Sequence, residues 1–310
     1  MPIAIPVWTG TRVLDGFLTI GRGARIGICG APAAGKSTLL ESIARGCAAD
    51  AIVVALAGER GREAQRWIAR RDERVTVICA TSDRPARERI AAAVVALAHA
   101  AALRKRGLDV LLVLDSLARV AAALREVAVA AGESVGRGGY PPSVFAELAR
   151  FVEVAGATRA GSITLVATVL GDGDDRDPVS EAARSLLDGH IVLSARLAQA
   201  GRFPAVDVLA STSRTMETVA GSAHRRAAAT LRRALALLDR IEESRSLGIE
   251  ISDPAALAAI AIEGRLEAFL RQDGETAGRE ATLAELGELA GMLEKERAEG
   301  PARVRISEMP

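Results

Sequence analysis

The chain has 310 residues, 49% of them apolar, enough for one large domain plus a smaller one with a sizeable core. Its 40 Lys plus Arg against 39 Asp plus Glu leave a net charge of +1, and its aromatics number two Trp, one Tyr and five Phe. That excludes a global basic field and a platform of stacking rings for nucleic acid. Cys29, Cys47 and Cys79 fit no metal spacing; Cys29 and Cys79 fall in apolar strand-like runs and are read as buried thiols, in keeping with a reducing cytoplasm. Met1–Trp8 lacks a basic region followed by a long apolar run, so no signal peptide is expected. Ala91–Leu103 is apolar but too short to span a bilayer.

In chain order, β-like runs and helix-like segments alternate. The strands are expected at Ile26–Cys29, Ile52–Leu56, Val75–Cys79, Val110–Leu114, Ser162–Val169 and His190–Leu193. Helices are expected at Lys36–Arg45, Arg62–Arg71, Pro85–Arg106, Leu117–Ala131, Ser143–Val154 and Pro178–Leu187. This alternation predicts an α/β fold with a mainly parallel sheet covered on both faces, and the Val/Ile/Leu runs suit strands buried on both sides. After Met216 the β signal stops. Ala223–Ser244, Pro254–Arg271 and Ala281–Arg297 read as helices, punctuated by Gly248, by the start signal Ser252-Asp253-Pro254 and by Gly274 and Gly278. The expected division is 1–215 and 216–310, the second part a small all-helical domain with a frayed tail from Gly300.

Gly30, Ala31, Pro32, Ala33, Ala34, Gly35, Lys36, Ser37 and Thr38 fit G-x-x-x-x-G-K-[ST], the phosphate-binding loop of nucleoside triphosphatases, set between a strand and a helix. Such a loop turns backbone N–H groups toward an anion at the positive end of the helix. Lys occurs only at positions 36, 105 and 295, so its retention at 36 points to a need for a compact ammonium. Lys36 is expected to reach the β- and γ-phosphates of ATP, Ser37 to offer its hydroxyl to Mg²⁺ and Thr38 to sit near the phosphates. Asp115 ends an apolar strand, where such a carboxylate holds Mg²⁺ directly or through water; alone this is a weak signal. Glu59 lies just past another strand and could polarise the attacking water, with Arg60 on the γ-phosphate. Equally, Glu59, Arg60, Arg62 and Glu63 could be a solvated helix start with helix-spaced charge pairs.

Several segments then occur in an order that resembles one family. They are Thr9-Gly-Thr-Arg-Val-Leu-Asp-Gly16, the loop Gly30–Thr38, Gly58-Glu-Arg-Gly-Arg-Glu63, Asp115-Ser-Leu-Ala-Arg119, Gly139-Tyr-Pro-Pro-Ser-Val-Phe-Ala-Glu-Leu148, Leu187-Asp-Gly-His-Ile-Val-Leu-Ser194 and Phe203-Pro-Ala-Val-Asp-Val-Leu-Ala-Ser-Thr-Ser-Arg214. Over residues 9 to 270 they resemble the ATPase of type III secretion systems and its flagellar export counterpart, relatives of the rotary ATP synthase catalytic subunit. The resemblance implies RecA-like P-loop domains in a homohexameric ring, with ATP at subunit interfaces. It implies that Glu59 is the water-activating carboxylate, Asp115 the Mg²⁺-side carboxylate and Arg214 an arginine finger acting on the neighbouring subunit's nucleotide. Phe203 falls where the family has a Tyr against the adenine ring and keeps the stacking face. The implied partners are a central stalk, a peripheral stator and chaperone–substrate complexes, at a cytoplasmic site on the inner-membrane export gate.

The chain also departs from the family. Family members carry an N-terminal β-barrel of about a hundred residues, and the chain is read as starting after it. Ala31, Pro32 and Ala33 stand where the family has Gly, Ser and Gly; Pro32 removes an N–H donor and Ala tolerates φ > 0 poorly, so weakened phosphate binding is expected. Two other readings are a nucleotide-binding structural subunit with little turnover and a RecA-like nucleic-acid motor; the neutral charge disfavours the second. The basic residues of Ala223–Ser244 (His224, Arg225, Arg226, Arg232 and Arg233) could face chaperones or acidic partners, and are more often a solvated helix face.

Overall fold

The computed structural model describes residues 1–70, 72–170 and 177–299. The frayed tail expected from Gly300, and Arg71 at the end of a predicted helix, lie outside them. The N-terminal half runs β1 (Pro6–Val7), α1 (Arg12–Phe17), β2 (Ile20–Gly21), β3 (Arg25–Gly30), α2 (Lys36–Gly46), β4 (Ala51–Ala57), α3 (Gly61–Ile68), β5 (Val75–Ala80), α4 (Ala86–Lys105), β6 (Asp109–Asp115) and α5 (Leu117–Ala130). There follow α6 (Pro142–Glu153), β7 (Gly156–Ala157), β8 (Ser162–Leu170), α7 (Pro178–Leu186), β9 (Gly189–Leu193), α8 (Ala195–Gln199), β10 (Val206–Ser213), α9 (Met216–Val219), α10 (Ser222–Ser246), α11 (Pro254–Leu270) and α12 (Arg279–Glu299).

The main sheet has the order β10-β9-β3-β8-β6-β4-β5. From β9 to β5 every neighbouring pair is parallel; β10 joins β9 antiparallel, and the short β7 joins β8 antiparallel. All six expected strands are present. Because side chains alternate along a strand, Ile52, Val54 and Leu56 of β4 enter one apolar cluster and Val53, Ala55 and Ala57 the other. The first cluster continues into Leu40 and Ile43 of α2, Phe17 of α1 and Leu231, Phe269 and Leu289 of the C-terminal helices. The second lies under α4, α5 and α6. Asp253 starts α11 as its sequence predicts, its carboxylate accepting from the Ala255 N–H (2.9 Å) with Pro254 in the first turn. Phe269 meets Phe17 edge-on, centroids 6.0 Å apart. A Cβ on Gly16 would lie 3.1 Å from the Phe269 ring, so even an alanine at 16 would require that ring to shift slightly.

Two expectations are corrected. Cys79 is exposed, not buried, because β5 ends the sheet and its outer flank is uncovered among the described residues. The basic run of α10 is not simply a solvated face. Arg232 is half-buried and donates to the carbonyls of Val208 and Ser211, and His224 meets the Gly16 carbonyl at 2.8 Å. These side chains bind the helical region to the sheet edge.

The register sets up the site. Leu56 pairs with Asp115, Leu114 with Ala167 and Gly30 with Leu170, so β3, β4, β6 and β8 end along one line. Whatever follows their carboxyl ends shares a single crevice.

Candidate functional site

At the end of β3 the chain turns through Gly30 (φ +155°) and re-enters a helix through Gly35 (φ +96°), the N-cap of α2. Gly35 is left-handed and has open space around its Cα, so its backbone shape, not crowding, calls for glycine. Ala33 is also left-handed, at φ +66°, which costs a residue with a Cβ about 1 kcal/mol. Lys36 opens α2, and its Nζ donates to the carbonyls of Gly30 and Ala31, the latter at 2.9 Å. Burial holds its ammonium below the usual lysine range, against the pull of Asp115, Cys29 and Glu59.

Pro32, Ala33, Gly35, Lys36, Ser37, Thr38, Glu59, Arg60 and Asp115, all expected from the sequence, line one cleft of about 400 Å³. Ala31 reaches it only through its carbonyl on Lys36, and Ala34 is buried behind it. Arg60 is exposed, the residue before α3. Arg66, Ser116, Arg119 and Thr168, without an assigned role in the sequence, also line the cleft, and two of them contact its carboxylates. Thr168 of β8 donates its hydroxyl to Asp115 Oδ1 at 2.5 Å, and Arg119 pairs with Glu59, Nε to Oε1, at 2.5 Å. Their signals were a hydroxyl in a buried apolar strand and an arginine in the first turn after a strand-end carboxylate. Ser116 caps that turn by accepting from the Arg119 N–H.

Burial raises the Asp115 carboxyl, only partly offset by the Thr168 bond and then Arg119. Glu59 is raised by burial and by the charge of Asp115, with Arg119 pulling the other way. Burial, more than any lack of cations, is what raises both carboxyls, since Lys36, Arg60, Arg62, Arg66 and Arg119 line the same cleft. The Ser37 hydroxyl and Asp115 supply hard oxygen donors and leave the remaining positions to phosphate and water, the donor set a Mg²⁺ ion takes at a phosphate. The residues present fit that ion.

On the other side of the loop lies a second cleft, of about 470 Å³, sharing Gly35 and Thr38 with the first. Ala34, Leu193, Phe203, Gly10 and the segment Gln272–Thr276 line it. Phe203 is 46% exposed, so its ring face is open rather than spent in the core. The part played by Gln272–Thr276, 69 positions beyond Phe203, was not read from the sequence.

Arg214 lines neither cleft. Ser213 pairs with Gly189, and Gly189 with Ile26 at the start of β3. Arg214 is therefore exposed at the edge of the sheet where the parallel strands begin, about 13 Å of strand back from Gly30. Within one copy it sits at the wrong end to meet a phosphate held at Lys36.

The family described as ATP synthase alpha/beta family, nucleotide-binding domain, matches residues 10–213. The chain belongs to this family. As a family member it is 46% identical, over 92% of its length, to a type 3 secretion system ATPase of Sinorhizobium fredii (strain NBRC 101917 / NGR234), and it spans 65% of that relative. It also superposes with a TM-score of 0.90, at 41% identity, on the assembled ATPase EscN of enteropathogenic E. coli, covering 94% of this chain and 72% of that one. With EscN in complex with its central stalk EscO the TM-score is 0.88 at 40% identity, again covering 94% and 72%. The α/β fold with a helical C-terminal region is the one expected. Among the described residues no helix is long and apolar enough to cross a membrane.

Proposed function

We propose that this chain hydrolyses ATP to ADP and phosphate in the cleft of Lys36, Glu59 and Asp115, and that the reaction energises protein export by a type III secretion apparatus. The observation that carries this reading is the convergence of a phosphate loop, a buried strand-end carboxylate and a second carboxylate paired to an arginine on one line of strand ends. A pure nucleotide binder needs no water-orienting carboxylate.

The chemistry follows from the side chains. Lys36 exchanges its two loop carbonyls for phosphate oxygens, and the N–H groups at the start of α2 face the same anion. Ser37 and Asp115 would hold Mg²⁺, which when bound neutralises charge on the β- and γ-phosphates. Glu59 must be ionised to take a proton from the attacking water. Arg119 favours that form, opposing the rise that burial and Asp115 cause. The water oxygen bonds to the γ-phosphorus as the bond to the β–γ bridging oxygen breaks; the water proton passes toward Glu59 and leaves with the phosphate, while ADP keeps the bridging electron pair. Phe203 offers its face to the adenine ring in the second cleft. Arg214 is supplied by a neighbouring copy, since its own strand carries it to the end of the sheet where β3 begins, opposite the end that leads into Lys36. The homohexameric ring, the central stalk, the stator, the chaperone–substrate complexes and a cytoplasmic station at the inner-membrane export gate belong to the same proposal. So does the division into a nucleotide-binding part, 1–215, and a helical part, 216–310.

The test is Mg²⁺-dependent phosphate release by the purified chain. Lys36→Ala and Glu59→Gln should each reduce it to background; normal turnover in both variants overturns the site.

A further inference from the structure

The segment Thr9–Gly16 lines the base cleft with Gly10 and Thr11, and it carries a buried carboxylate to which no role has been given. Asp15 is 1% exposed, and its Oδ1 accepts from both the N–H (2.9 Å) and the hydroxyl (2.8 Å) of Thr9. The Thr9 hydroxyl in turn accepts from the Thr11 N–H at 3.2 Å. One oxygen thus fixes the turn Thr9-Gly10-Thr11, and no water-exposed atom could replace it.

That turn is the back of the base cleft. The Gly10 carbonyl accepts from Gln272 Nε2 (2.6 Å) and from the Ala277 N–H (2.8 Å). Gln272 Oε1 accepts from the Arg12 N–H (2.8 Å), and the Gln272 N–H donates to the Phe203 carbonyl (2.8 Å). Gly10 is left-handed (φ +69°), and a Cβ there would touch Thr276 at 3.0 Å. Gln272 Nε2 also donates to the Glu275 carbonyl, so both amide hydrogens and the amide oxygen are engaged with backbone rather than with a base.

We infer that Asp15 is a positioning residue for nucleotide binding, acting through Thr9, Gly10 and Gln272 to hold the Gln272–Thr276 segment and Phe203 around the base. It rests on the reading of the Phe203 cleft as the base site. It predicts a split between the two ends of the nucleotide. Asp15 and Gln272 shape only the base end, while the phosphate loop is built by β3 and α2.

The experiment measures binding of ATP and of inorganic tripolyphosphate, each with Mg²⁺, by calorimetry on full-length chain. Asp15→Ala should weaken ATP about tenfold, the loss of one to two buried hydrogen bonds, and leave tripolyphosphate within about twofold. Asp15→Asn, which keeps an acceptor for Thr9, should restore ATP binding. If Asp15→Ala does not fold, Gln272→Ala on the surface segment carries the same expectation. Equal weakening of both ligands by Gln272→Ala, or no weakening of either, overturns the inference. Phe203→Ala separates the two readings. If it leaves ATP binding unchanged, the base site itself is misplaced; if it weakens ATP while Asp15→Ala and Gln272→Ala do not, only the positioning role fails.

Discussion

Arg119 Nε lies 2.5 Å from Glu59 Oε1, so the carboxylate expected to orient water is paired with a cation of the same chain. The pair forms across two elements, Glu59 just after β4 and Arg119 in the first turn of α5, and both side chains line the phosphate cleft. Glu59 is raised by burial and by Asp115, and Arg119 is the largest influence lowering it. Since the ionised form is the active one, activity should fall as pH drops through the Glu59 pKa. Removing Arg119 raises that pKa further. Arg119→Ala is thus expected to move the acid limb of the kcat/KM profile to higher pH, and to lower kcat/KM at neutral pH by about a hundredfold, the scale of a lost general acid–base contribution. An unshifted acid limb would show that the pair has no hold on the carboxylate.

Asp15 makes a second pH prediction, this time on stability. Burial raises it from 3.8 to about 6. Between those values the folded chain binds more protons than the unfolded chain, so this group's contribution is present at low pH and is lost as pH rises through about 6. At neutral pH the buried charge costs roughly 3 kcal/mol relative to the protonated form. Asp15→Asn keeps the acceptor and removes the charge. Its stability relative to the parent should rise as the pH goes from about 4 to 7, measured by denaturant unfolding at each pH. A difference that stays flat would place the Asp15 pKa near its unfolded value.

The left-handed Ala33 makes the phosphate loop itself testable. Ala33→Gly removes the Cβ penalty at φ +66° and should stabilise the chain by about 0.5–1 kcal/mol, and Pro32→Gly should return an N–H to the cradle. The double variant should bind ATP several-fold more tightly than the parent, read by calorimetry. Weaker binding would mean that the loop is preorganised by Pro32 rather than impaired by it.

Much of this was legible in the sequence for a physical reason. A strand buried on both faces must be apolar throughout, and Ala51–Ala57 and Asp109–Asp115 announce themselves as such. The phosphate loop depends on consecutive residues, so Gly30–Thr38 is readable in isolation. β10 was not readable as a strand: its Val-Asp-Val-Leu-Ala-Ser-Thr-Ser carries polar and small residues, and its pairing with β9 is irregular between Asp207 and Thr212. The base cleft was half readable. Phe203 came from the family resemblance, but Gln272 joins Gly10 across 262 positions, and no local pattern encodes that contact. Arg119 stood in a quoted motif, yet its role appears only when β4 and α5 are brought side by side. Cys79 was misread because apolar neighbours do not reveal that a strand ends its sheet.

The central claim is that one copy's Arg214 completes another copy's site, because the sheet puts Arg214 and Lys36 at opposite ends of its strands. The direct measurement is ATP hydrolysis by a mixture of two inactive variants, Lys36→Ala and Arg214→Ala, at concentrations where rings form. In a mixed ring, the intact loop of an Arg214→Ala copy faces the intact arginine of a Lys36→Ala copy, and phosphate release should recover to a measurable fraction of the parent's rate. Assembled mixtures that stay as inactive as either variant alone would contradict the shared site.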